Sequence, residues 1–151
     1  MEWNESGING KGTKIMVKAA GSCLCGQLKI EVDGAPLVMA HCCCTDCQKA
    51  SGGGHMTIAR FAEEDVKISG EYTTYGVVAK SGNTNYRHFC PKCGGRGFGT
   101  NSGRPGQVNV SVGIFDDSSW FAPKAAIFMC DHREWDEFPP DLAVFDEYPP
   151  Q

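Results

Sequence analysis

Eight of the nine cysteines in this chain fall into short groups, and thiols grouped this way hold metal ions or exchange disulfides. The run Cys90-Pro91-Lys92-Cys93-Gly94 puts two thiolates in a tight knuckle, where both can grip one tetrahedral ion at ~2.3 Å per bond. Pro91 presets the φ angle of the turn, and Gly94 accepts the positive φ that follows it. A thioredoxin-like redox pair opens a helix, whereas glycines follow here, so the spacing reads as zinc ligation. Gly21-Ser22-Cys23-Leu24-Cys25-Gly26 is spaced differently. In an extended segment residues i and i+2 share a face, so Cys23 and Cys25 reach one ion while Leu24 is expected to turn into the core. Together Cys23, Cys25, Cys90 and Cys93 make a closed structural site that clamps the N-terminal strand to the middle of the chain.

The remaining group is His41-Cys42-Cys43-Cys44-Thr45-Asp46-Cys47. By the same alternation Cys42 and Cys44 share a face, Cys47 returns to it after a turn, and Cys43 points away and is not counted as a ligand. Three thiolates with no evident fourth are the arrangement of catalytic zinc sites, which keep an open position. The alternative is that Cys130, a histidine or another residue closes the site and makes it structural. His55, His41 and Asp46 lie near the cluster and are candidates for moving protons. His55, after the glycines at 52–54, is taken as the catalytic one. Cys130 is expected to be a buried small apolar residue, and Trp120 and Trp135 to belong mostly to the core.

These groups need a scaffold, and the apolar pattern supplies strands. Leu28, Ile30 and Val32 alternate with polar neighbours, as do Val108, Val110, Val112 and Ile114, at the period of half-buried strands. Shorter strands are expected at Ile15–Ala19, Leu37–His41, Met56–Arg60, Val66–Ser69, Thr73–Val77, Tyr86–Phe89 and Ala126–Met129. Glycine-rich punctuation at 51–54, 81–83 and 94–97 separates them. Thr45–Ser51 and Phe61–Asp65 read as short helical turns. The tail from Phe138, with paired prolines at 139–140 and 149–150, reads as an extended strap over the sheet. The expectation is a mainly β fold of short antiparallel strands, with a flexible leader at 1–13 and one domain at 14–151.

Composition narrows the function classes. With 41% hydrophobic and 21% charged residues the chain can build a core. The net charge of −4, without a dense Lys/Arg stripe, argues against a nucleic-acid partner. No apolar run approaches the roughly 18 residues of a membrane helix, and the first residues lack the apolar stretch of a signal peptide. Free, clustered thiols fit a reducing compartment, so the expected location is cytoplasmic.

Read in order, G-S-C-x-C-G, then C-x-C-x-x-C followed by Ser51-Gly52, then F-C-x-x-C-G, resembles the glutathione-dependent formaldehyde-activating enzyme family, also called the centromere-protein-V-like domain. The match runs from about Gly21 to Phe98, with a weaker echo at Trp135 and Pro139. The resemblance implies an Mss-four-like fold with short strands in stacked sheets around a structural zinc on Cys23, Cys25, Cys90 and Cys93. A second, catalytic-type zinc falls on Cys42, Cys44 and Cys47. It also implies a carbon–sulfur lyase joining formaldehyde to a small thiol such as glutathione, as S-hydroxymethylglutathione. The chain departs from the family at Cys43, where members usually carry histidine. The competing reading is a non-catalytic zinc scaffold for protein–protein binding.

Overall fold

The computed structural model describes residues 14–150, and the expected leader at 1–13 lies outside them. Among the described residues the protein is mainly β, with two sheets and one short α-helix. In the small sheet β1 (Val17–Ser22), β2 (Lys29–Gly34) and β5 (Val66–Ser69) pair antiparallel in the order β1-β2-β5. The large sheet adds β3 (Val38–Cys42), β4 (Met56–Ala62), β6 (Thr73–Val78), β7 (Thr84–Phe89), β8 (Arg96–Asn101), β9 (Gln107–Ser111), β10 (Ala125–Ile127) and β11 (Ala143–Val144). Its order is β11-β10-β3-β4-β9-β8-β7-β6. The helix α1 (Thr45–Ser51) leaves the end of β3.

The alternation of apolar and polar residues decides which face of each strand is buried. Val17, Ile30 and Val32 of the small sheet meet Met39, Ala59, Phe61, Phe98, Val108 and Val110 of the large one in a single core. Phe61 is completely buried and packs edge-on to Trp120, with ring centroids 6.1 Å apart. Burying a side chain of this kind contributes about 1.5–3 kcal/mol. The intervening residues Met56, Ile58, Arg60, Asn109 and Ser111 face the other side, where they line a cavity of about 680 Å³.

Several expectations change. The strand expected through Val112 and Ile114 stops at Ser111, and residues Val112–Ile114 form a 3-10 turn that still buries both side chains. The glycines at 94–97 hide the start of β8, because glycine carries no apolar pattern to read. The sheet is not purely antiparallel: β10 pairs parallel with β3 and with β11. The tail therefore extends the sheet at its edge through β11, with the Phe145 amide donating to the Ala126 carbonyl at 3.0 Å, rather than lying over it. Trp135 is 71% exposed and outside the core.

Candidate metal centres and the adjoining cavity

Cys23 follows β1, Cys25 sits in the turn before β2, and Cys90 and Cys93 occupy the connection from β7 to β8. Their four sulfur atoms lie within 4.8 Å of one another and form a group able to hold a metal ion. The Cys25 sulfur is 3.6 Å from those of both Cys23 and Cys90. Zinc–sulfur bonds of ~2.3 Å in a tetrahedron place the sulfurs ~3.8 Å apart, so the donor set fits such an ion. Backbone amides already face the thiols: Leu28 donates to Cys23 Sγ at 3.2 Å and Gly95 to Cys93 Sγ at 3.4 Å. Both knuckles close on a glycine with positive φ, Gly26 at 84° and Gly94 at 73°.

Leu24 does not enter the core; it is 92% exposed. The Gly26 amide donates to the Cys23 carbonyl at 2.9 Å, so the segment curls into a turn. That curl, rather than extended alternation, brings Cys23 and Cys25 together. Electrostatics favours one thiolate first. Burial pushes the Cys23 thiol up, but the Leu28 amide and then the Cys25, Cys93 and Cys90 thiols bring it down to about 6. Cys25 rises to about 11: the Gln27 backbone lowers it, while desolvation and the neighbouring thiols raise it.

The second group forms where β3 runs into α1. The sulfurs of Cys42, Cys44 and Cys47 lie within 4.8 Å of one another, a second cluster that could hold a metal ion. Cys44 caps α1, accepting the Cys47 amide at 3.3 Å. Cys43 points the other way, is fully buried, and its sulfur lies 3.9 Å from Met129 Sδ. Gln48 fixes the loop by donating to the carbonyls of Cys43 at 2.7 Å and Asp131 at 2.9 Å. The Cys42 and Cys47 thiols donate to Cys44, and against burial they hold it down to about 2, helped by the Cys47 amide and the Arg87 charge. Those same contacts raise Cys42, which gives up its proton least readily of the three.

This cluster opens on the cavity, which Cys42, Cys44, Asp46 and Cys47 line together with Arg87 and Arg96. Arg87 Nη2 approaches Cys47 Sγ at 3.9 Å. The histidines stand elsewhere. His41, one residue before Cys42, pairs with Thr57 across the strands, its Nδ1 3.1 Å from the hydroxyl. His55 Nδ1 meets Asp136 Oδ2 at 2.7 Å, and its ring lies 4.4 Å from that of His41 and 5.1 Å from Phe138. Neither histidine lines the cavity; of the expected proton carriers, Asp46 does. Cys130 is exposed rather than buried, lines the same cavity, and stands outside the three-sulfur group. Sequence reasoning missed the arginines, whose only signal was their placement on the polar side of alternating strands.

The fold and site thus define a mainly β protein with a four-thiol and a three-thiol cluster, each able to hold a metal ion. The chain belongs to the glutathione-dependent formaldehyde-activating enzyme family, whose model matches residues 18–131. A crystal structure of a Rhodobacter sphaeroides protein, a structural genomics target, shares the fold with a TM-score of 0.53 at 21% identity, over 66% of this chain and 90% of that one. No curated protein matches the chain.

Proposed function

We propose that the protein is a zinc-dependent carbon–sulfur lyase that makes or cleaves adducts of a small thiol, such as glutathione, with an aldehyde. The observation that carries this reading is the position of the three-thiol cluster on the wall of a cavity, with room for a further ligand, rather than in a sealed site. Family membership supports it, since the family is named for an enzyme. Cys23, Cys25, Cys90 and Cys93 would hold a structural zinc, and Cys42, Cys44 and Cys47 a labile one. The zinc on that three-thiol cluster supplies Lewis acidity toward an incoming thiol when bound. The reducing cytoplasm suits so many free thiols.

The chain's own groups do the rest. Asp46 accepts the proton of the substrate S–H; the sulfur forms a bond to the carbonyl carbon as the C=O π pair moves to oxygen. Asp46 then returns the proton to that oxygen, giving a hydroxyl, and the reverse sequence releases thiol and aldehyde. We assign this task to Asp46 in preference to His55 because Asp46 lines the cavity and His55 packs against His41 and Phe138. The test is to follow adduct formation from formaldehyde and glutathione by NMR, with cobalt in place of zinc to watch thiolate charge-transfer bands. Accelerated adduct exchange, slowed about 100-fold by Asp46→Asn, is expected. A cobalt spectrum indifferent to every thiol, with no acceleration, overturns the reading in favour of a non-catalytic scaffold.

A further inference from the structure

One row of residues crosses the floor of the cavity. Arg60 on β4 pairs with Asn109 on β9, Asn109 with Gly99 on β8, and Gly99 with Arg87 on β7. Neighbouring strands lie ~4.8 Å apart, so the two arginines root roughly 14 Å from each other with a residue lacking a side chain between them. Arg60 is 6% exposed and its Nε donates to Asn109 Oδ1 at 2.9 Å.

A β-bulge then adds another guanidinium. The register of β7 and β8 shifts between His88 and Phe89: His88 pairs with Phe98, but Phe89 pairs with Arg96. Gly97 is the extra residue, and it turns Arg96 from the core face of Phe98 to the face of Arg87, a common use of bulges beside functional sites. A Cβ on Gly97 would stand 2.6 Å from Leu28 Cδ2, so a side chain at the bulge would have to displace the buried Leu28.

Among the described residues neither Arg87 nor Arg96 forms an ion pair with a carboxylate. Arg87 Nη1 and Arg96 Nε are buried without any hydrogen-bond partner. A buried, unpaired donor of this kind is costly, and two like charges side by side add to the cost. Five cationic side chains line the cavity, Arg60, Arg87, Arg96, Arg104 and Lys80, against three carboxylates, and Glu147 among these is already held by Lys80 at 2.9 Å. A metal held by three thiolates would bring a net charge of only about −1, which leaves the positive excess in place.

We infer that Arg87 and Arg96, with the Arg60–Asn109 pair, form a subsite for a small oxoanion, carboxylate or phosphate, carried by the substrate whose reacting group sits at Cys42, Cys44 and Cys47. Arginine forks match the planar oxygens of such groups, and small rotations about the side-chain torsions bring their N–H groups to bear on the space over Gly99. The subsite selects the substrate by a charge remote from the reacting atoms, and that binding energy orients the thiol toward the cluster. This assignment rests on the thiol reading for its use, but anion binding itself requires no thiol.

The experiment measures binding by calorimetry to the full chain. The probes are 3-mercaptopropionate, 2-mercaptoethanol, propionate and inorganic phosphate, with wild type, Arg96→Gln and Arg87→Gln, each checked for an intact melt. The charged thiol is expected to bind about tenfold more tightly than the neutral one. Arg96→Gln erases that difference while leaving 2-mercaptoethanol binding unchanged; Arg87→Gln erases it too, but also weakens 2-mercaptoethanol binding because Arg87 touches Cys47. Competition by propionate identifies a carboxylate as the natural group, and stronger competition by phosphate identifies a phosphate; either supports the subsite. Equal binding of the two thiols, with no competition by either anion on the wild-type protein, overturns it while leaving the thiol reading intact. Anion binding that is lost in the arginine variants, with neither thiol shifting the cobalt spectrum, keeps the subsite and removes the thiol chemistry.

Discussion

His41 and Cys42 are consecutive residues at the end of β3, and they serve opposite faces of the large sheet. Cys42 opens on the arginine-lined cavity with Cys44 and Cys47, whereas His41 stacks on Phe138 at 5.2 Å and abuts His55. The sheet itself thus separates the thiols from the imidazoles.

The four-thiol cluster ties segments far apart in the chain, so its metal contributes directly to folding. Structural zinc contributes ~10 kcal/mol or more, which is comparable to the whole stability of a typical domain. Cys93→Ser is expected to abolish the cooperative thermal transition and to yield aggregated protein. A folded Cys93→Ser variant with unchanged melting and full metal content would falsify the structural assignment.

Cys43 faces Met129, away from the cavity. Replacing it by alanine removes one small buried side chain and is expected to lower stability modestly, by about 1 kcal/mol, without loss of metal. Cys42→Ala or Cys44→Ala should each lose one equivalent. Elemental analysis of the three purified variants decides; metal loss from Cys43→Ala alone is incompatible with the faces described.

The three-thiol cluster is local, confined to the β3–α1 junction, and opens on solvent. A chelator is therefore expected to strip one equivalent quickly while circular dichroism stays constant, and the second only with unfolding. The emptied thiols should then oxidise, since the low-pKa Cys44 thiolate is available as a nucleophile. Two equivalents released together, at the rate of unfolding, contradict this.

Burial, and then the charge of His55, lowers the His41 imidazole to about 4. The folded state therefore binds fewer protons than the unfolded chain, whose histidine titrates near ~6.5. The stability His41 contributes is complete above ~6.5 and is lost as the pH falls from there towards about 4, at about 1.4 kcal/mol per pH unit. His41→Phe, which keeps the stack on Phe138, should lose less of its melting temperature between pH 7 and pH 5 than wild type. Equal losses in both proteins exclude this contribution.

Cysteine spacing, glycine punctuation and period-two patterning were enough to determine the metal-holding chemistry, the mainly β class and the two pairs that join in the four-thiol cluster. These are local properties: a knuckle needs its glycine, and β5 at Val66–Ser69 and α1 at Thr45–Ser51 lie where the pattern places them. Leu24 shows the limit of local reading, because a single hydrogen bond from Gly26 to Cys23 curls an apparently extended segment and turns an apolar side chain to water. Only the tertiary structure could decide what stands beside the three-thiol cluster. His55 is eight residues from Cys47 and faces elsewhere, while Arg87 and Arg96 are forty or more residues away and line the same cavity. Which of them faces the thiols depends on the register of β4, β9, β8 and β7 and on one extra residue at Gly97. Register is set by packing between strands distant in sequence, so it leaves no signature in any single segment.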